Sequence, residues 1–216
     1  MTLIIHTGSS AEELSCSPQC ICVGPTGEFQ TINDALASIT DEGPDKQYLI
    51  HLSPGIYNED VVMRRWINIQ GCGFGPDLST QIRGTGPTTM QIPQGDCVVS
   101  NLAVQIQSAN PTDAATRVVD DGDPTPTVNP PFMREAVSQA RGGARGTSIE
   151  AAGLIMITGG HDAWDMGVAL HLEPGTLYFH IGAGGVGVSS DGVSPGSSRG
   201  IEAIDGLVLL LSLIHI

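Results

Sequence analysis

Residues 23–39 read VGPTGEFQTINDALASI, residues 48–63 YLIHLSPGIYNEDVVM and residues 67–84 INIQGCGFGPDLSTQIRG. Phe29, Ile32, Ala35, Leu36 and Ile39 recur at helical spacing, so residues 31–39 are predicted to form a short amphipathic helix with one apolar face. Thr31 suits its N-cap, and Asp34 falls near the start, where the macrodipole favours an acid. Tyr48, Ile50 and Leu52 then alternate with Leu49 and His51 up to the breaker pair Pro54-Gly55, the mark of a strand that ends in a tight turn. Ile67 and Ile69 alternate into Gly71 and Gly73, and residues 80–82 alternate into Gly84. Short strands cut by glycine about every dozen residues predict a coil of strands rather than a βαβ sheet.

Three groups carry a family resemblance: Gly27, Phe29, Thr31-Ile32 and Ala35; then Tyr48, Pro54-Gly55-Ile56-Tyr57 and Glu59; then Ile67, Ile69, Gly71 and Gly73. In this order and spacing the chain resembles the opening of pectin methylesterases and related pectin-lyase-like proteins over residues 23–84. The resemblance implies an all-β fold, a right-handed parallel β-helix (solenoid) capped by the short N-terminal helix, with Gly55-x-Tyr57-x-Glu59 in the turn of an early coil. It implies less about chemistry, because that motif is not where the family's catalytic carboxylates lie. The later segments of the family, of Gln-Ala-Val-Ala, Asp-Phe-Ile-Phe-Gly and Gly-Arg-Pro-Trp type, have no counterpart here. Ala136-Val137-Ser138-Gln139 departs from the first, and Gly159-Gly160-His161-Asp162 lacks the aromatic frame of the second.

The 216 residues suit one domain, and 40% hydrophobic with 4% aromatic residues predicts a core of small and branched aliphatics, as thin stacked coils use. Gly 28 and Pro 14 are accounted for by many corners. Nine basic against 23 acidic residues give a formal charge of −14, which repels nucleic acid and anionic membranes. The same charge works against an anionic polysaccharide unless a local basic groove or calcium offsets it. No cationic start with an apolar stretch and cleavage site opens the sequence, so a classical secretion signal is not expected, and a virion or extracellular location rests on analogy with the fold.

Residues 1–22 are expected to be an irregular leader and residues 23–210 a single β-helix domain. Within the domain, residues 107–147, rich in Pro, Asp, Gly and Thr, are expected to form one long protruding loop with a short helical stretch at 132–140. Asn101-Leu102, Gly153-Leu154 and Gly206-Leu207 recur at near-equal spacing, a weak repeat in which Asn or Gly would turn a coil corner. Residues 211–216, Leu-Ser-Leu-Ile-His-Ile, match the translation of a sequencing-library adapter, so a fragment of an environmental gene is expected; an ordinary terminal strand over the apolar residues 207–216, too short to span a membrane, is the alternative. Cys16, Cys20 and Cys22 with His6 could bind zinc but lack a paired second half; thiols of an N-terminal flap, bridged locally or not, are the alternative. Cys72 and Cys97 are expected among the core residues.

His161, Asp162 and Asp165 around Trp164 form the most site-like group outside the resemblance: a histidine beside carboxylates serves acid–base work, and tryptophan stacks on a sugar ring. A polar turn between two strands, with Trp164 covering the core edge, is the reading these residues favour over a site. Asp120, Asp121 and Asp123 could take calcium, though without the downstream glutamate of a known loop, and loop solvation explains them as well; no cofactor is otherwise called for. Gly182 to Gly187 lacks the lysine of a phosphate-cradling loop and reads as a turn. Tyr57 is expected to pack on the coil and Glu59 to pair with Arg64 or Arg65. The leading expectation is a β-helix module that is structural or binds polysaccharide or a cell-surface glycan, as on a phage tail, where homotrimers are the common assembly. The alternative is a carbohydrate-active enzyme, a pectinesterase-like esterase or a polysaccharide lyase, whose active coils are lost or degenerate.

Overall fold

The computed structural model describes residues 19–73, 79–122, 132–150, 153–164, 168–173, 176–181, 186–189, 199–203 and 207–211. The chain enters with β1 (Cys20–Val23) and turns into α1 (Ile32–Ser38). It then winds through three-sided coils. The first holds β2 (Tyr48–Leu52), β3 (Gly55–Tyr57) and β4 (Val61–Val62). The second holds β5 (Ile67–Gln70), β6 (Thr80–Arg83) and β7 (Thr88–Pro93), and the third β8 (Val98–Ser100), β9 (Ala103–Gln107) and β10 (Ala114–Val119). In the next two coils a single bent strand serves two sides: β11 (Phe132–Arg141) precedes β12 (Arg145–Ile149), and β13 (Gly153–Trp164) precedes β14 (Val168–Leu172). β15 (Thr176–Ile181), β16 (Val186–Ser189) and β17 (Arg199–Ala203) follow, then β18 (Leu207–Leu211).

All pairings between these strands are parallel, each strand bonding to its equivalent one coil away. Face one runs β1-β2-β5-β8-β11-β13-β15-β18, face three runs β4-β7-β10-β12-β14-β17, and face two is the row β3-β6-β9 continued by the later halves of β11 and β13 into β16. This is a parallel β-helix with a short N-terminal helix.

Register stacks like on like inside. Ile50, Ile69, Val99 and Met133 form a buried column on face one. Tyr57, Ile82, Val104 and Ser138 form one on face two, and Ile92, Val118, Ile149 and Leu172 one on face three. Two buried hydroxyls, Thr116 Oγ1 and Ser138 Oγ, meet at 2.7 Å across the core, so neither is left unsatisfied. Corners need special backbone. Trp66 and Asp96, at equivalent corners one coil apart, both have left-handed φ, of 62° and 54°, and the Trp66 N–H donates to the Asp96 carbonyl at 2.7 Å. Asn101, at the corner between β8 and β9, has φ 54°, as a corner asparagine should. At Gly71 the neighbouring coil comes so close that a Cβ would lie 2.4 Å from the Asn101 carbonyl oxygen.

The helix is held at both ends by the first coil. Thr31 Oγ1 accepts from the Asp34 N–H at 3.1 Å, as an N-cap does. Glu59 accepts from the Ile32 and Asn33 N–H groups at 2.9 and 3.0 Å, while the Arg64 guanidinium donates to the Leu36 and Ile39 carbonyls at 2.7 and 2.9 Å. An acid at the positive end and a base at the negative end satisfy orphan backbone groups and complement the dipole together. Ile32, Ala35, Leu36 and Ile39 lie buried against the coil.

Several expectations are corrected. β1 lies partly inside the expected irregular leader of residues 1–22, and Cys20 and Cys22 belong to that strand rather than to a flap. The expected loop at 107–147 contains β10, β11 and β12, and its helical stretch at 132–140 is strand. Leu154, Leu177 and Leu207 are in register, so the second interval of the weak repeat spans two coils, but Asn101-Leu102 sits at a corner and is not a copy. Cys97 is buried and Cys72 half-buried. Among the described residues, no helix is long and apolar enough to cross a membrane. Residues 1–18, with His6 and Cys16, and residues 212–216 lie outside the described residues.

Candidate functional site

Face two carries a row of polar side chains on its outer surface. Register aligns Arg83 at the end of β6, Gln105 in β9 and Gln139 in β11. Arg83 Nε donates to Gln105 Oε1 at 3.0 Å and Nη2 to Gln81 Oε1 at 2.7 Å; Gln105 Nε2 donates to Gln139 Oε1 at 2.7 Å. Donation therefore runs in one direction along the row, from guanidinium to amide to amide, which fixes the rotamers before any ligand arrives. Asn58, Gln81 and Arg141 join these three in lining a groove of about 460 Å³. No aspartate or glutamate lines it among the described residues, and two of the chain's nine basic residues do. In a chain of formal charge −14 this is a local positive exception.

The backbone continues the row. Gln139 pairs in register with Asp162 of β13, and Asp162 with Gly187 of β16. His161 occupies the register position beside Ser138, and Trp164 that beside Ser189. His161, Asp162 and Trp164 thus belong to a twelve-residue strand and not to a turn between strands. Asp165 lies outside the described residues.

The motif residues of the early coil serve the scaffold. Tyr57 is buried, and its hydroxyl, which can donate one hydrogen, lies 2.9 Å from the Ser53 carbonyl and 3.1 Å from that of Val23. Burial, followed by the charges of Cys72 and Glu59, pushes its phenol above the ordinary range. Gly55 opens β3, and Glu59 clamps the helix rather than pairing with either arginine. Arg64 instead reaches Glu42 at 3.1 Å, and Arg65, buried, makes a two-pronged pair with Asp121 at 2.8 and 2.9 Å.

That pair also answers the calcium reading. Both Asp121 carboxylate oxygens accept from Arg65, Asp120 Oδ1 accepts from the Gly122 N–H at 2.9 Å, and Asp123 lies outside the described residues. No group of three or more His, Cys, Asp or Glu is placed to hold a metal among the described residues. A second polar row, on face three, aligns Arg117, Ser148 and His171. Arg117 and Ser148 both bond Glu150, at 2.5 and 3.0 Å, and His171 Nε2 lies 2.9 Å from Glu173. Glu150 thus ties Arg117 to Ser148 and Glu173 engages His171, and Ser148 and His171 are themselves buried.

Arg83, Gln105 and Gln139 were not legible as a site, since loops of unequal length separate them and only the register brings them together. Alternation in Ala-Val-Gln-Ile-Gln at 103–107 was the one local sign that Gln105 faces outward.

No family model matches the sequence, and no curated protein matches it. Solved structures that resemble it include three pectin methylesterases. Pectin methylesterase from carrot is 11% identical with a TM-score of 0.42, covering 92% of this chain and 90% of that one. Pectin methylesterase PemA from Erwinia chrysanthemi is 16% identical with a TM-score of 0.35, covering 76% of this chain and 52% of that one. The pectin methylesterase from Aspergillus niger is 15% identical with a TM-score of 0.33, covering 93% and 70%.

Proposed function

We propose that this chain is a non-catalytic polysaccharide-binding module whose face-two groove takes an acidic glycan, such as one on a cell surface. The observation that carries the reading is the hydrogen-bonded row Arg83–Gln105–Gln139 in a groove with Arg141 and no carboxylate among the described lining residues. Guanidinium groups engage a uronate carboxylate in two-pronged fashion, and amides both donate to and accept from sugar hydroxyls. Fixing the row beforehand lowers the entropy lost on binding.

Calorimetric titration of the full chain with polygalacturonate tests this. Binding is expected, and Arg83→Ala is expected to weaken it about tenfold, the loss of one charge-assisted contact. Absence of binding to polygalacturonate and to an array of acidic glycans ends the proposal.

A second reading, esterase or lyase, draws on Asp162, the one carboxylate that register adds to the row. Catalysis of that kind needs two carboxylates with separated pKa values in one groove. Methanol release from methyl-esterified pectin that is abolished in Asp162→Asn would establish the enzyme over the binding module.

A further inference from the structure

The row on face two has a fixed hydrogen-bond polarity, and its source is Arg83. A guanidinium carries donors only, so the amides beside it have no choice of orientation. Gln81 and Gln105 turn their oxygens to it, accepting from Nη2 at 2.7 Å and from Nε at 3.0 Å. With its oxygen so committed, Gln105 sends its nitrogen the other way along the row, and Gln139 must present an oxygen to it, at 2.7 Å. Gln81 Nε2 donates to Ser79 Oγ at 3.2 Å. Gln139 Nε2, at the end of the relay, keeps both its hydrogens, since among the described residues it donates to nothing. An amide in isolation both donates and accepts; here every amide oxygen of the row already accepts, and what the end of the row offers a ligand is a donor. Asn58, Thr85 and Gln107 line the same groove outside the row, so acceptors for hydroxyl hydrogens are supplied there.

Resting on the reading of the groove as a glycan site, we infer that Gln139 is a specificity-determining residue of that groove, reading an acceptor oxygen of the glycan through its amide nitrogen. Arg83 is then, besides a contact, the positioning residue that sets this polarity from two strands away. Arg83 and Gln139 share no hydrogen bond, and register places them two strand spacings apart, about 10 Å. Side chains so separated act independently unless something between them couples them. Gln105 is that coupling, because it bonds both and Arg83 imposes its amide orientation. Without Arg83 the Gln105 amide is free to turn over and Gln139 to turn with it, so that the outward group becomes an oxygen as readily as a nitrogen. The glycan edge that suits the fixed row is one rich in oxygens, a carboxylate above all, since an anionic acceptor makes a bond about twice as strong as a neutral one.

A double-mutant cycle, read by calorimetric titration of the full chain with polygalacturonate, tests the inference. Gln139→Ala is expected to weaken binding about fivefold in the wild type, the loss of one hydrogen bond, but less than about twofold in the Arg83→Ala background. Equal losses in the two backgrounds overturn the relay, and no loss in the wild type overturns Gln139 as a contact. Gln139→Glu keeps an oxygen for Gln105 and puts a second oxygen where the nitrogen faced the ligand. It is expected to weaken binding about fivefold more than Gln107→Glu, which brings the same charge into the same groove outside the row. Equal losses in those two variants would reduce the effect to charge and overturn the reading of an acceptor by Gln139. Circular dichroism checks that each variant is folded. If the wild type does not bind polygalacturonate, the reading of the groove falls first and this inference with it.

Discussion

Cys97 shows how a single side chain registers the quality of the core. It is 3% exposed, and burial, with the charges of Asp96 and Asp121 adding to it, pushes its thiol from 9.0 up to about 12. A thiol that resists ionisation when folded stabilises the protein fully below pH 9, where the unfolded chain also keeps its proton. That contribution is then lost as pH rises from 9 toward 12, because only the unfolded chain ionises. Urea unfolding at pH 8.5 and pH 10.5 should show the wild type losing about 1 kcal/mol per pH unit in that window. Cys97→Ala should show a shallower slope, and equal slopes would place the effect elsewhere. The sequence marked Cys97 as an inward residue because a free cysteine behaves as a small hydrophobe. It mistook the partner of Glu59, since two arginines five and six residues downstream are the nearest cations along the chain, whereas the helix N-terminus comes back to it only through the coil.

Elements were legible where side-chain period and backbone agreed. α1 and β2 fall where the apolar spacing puts them, and Thr31 is the cap it was read to be. β11 misled because its register shifts between Arg134 and Val137: the buried positions run Met133, Ala136, Ser138 and Ala140, and the apolar ones among them, Met133, Ala136 and Ala140, fall at the spacing of a helix face. A bulge in a strand with small side chains imitates helical period, and no local residue exposes the imitation. For α1, which has only seven residues, intrinsic propensity contributes little, and its stability comes from packing and from its two clamps. Glu59→Gln is therefore expected to cost about 1–2 kcal/mol in thermal or urea unfolding, by weakening charge-assisted bonds to the Ile32 and Asn33 N–H groups. A loss under about 0.3 kcal/mol would mean that Thr31 alone suffices as cap.

At the scale of the whole molecule, charge and groove oppose each other. An anionic glycan is repelled by the surface at long range and attracted by Arg83 and Arg141 at short range, and salt screens both. Wild-type affinity for polygalacturonate is accordingly expected to vary less than about threefold between 50 and 300 mM salt. Arg83→Ala removes part of the attraction, so its weaker binding should strengthen with salt; a steep fall in both proteins would show that the groove dominates. The coiled architecture was legible from residues 23–84, because strand, glycine and strand recur there within one turn of the solenoid. The groove was not, because its members come from three turns whose connections differ in length, and Asp162 became part of the row only when β13 was found to run through Trp164. The uniform parallel pairing also bears on how the molecule comes into being. Each rung is completed by the chain that follows it, and α1 with β1 provides a finished surface on which the next rung is laid. Emerging from a ribosome, such a protein builds on its own template in the order of its synthesis, whereas a denatured chain released all at once must choose among many near-equivalent rungs.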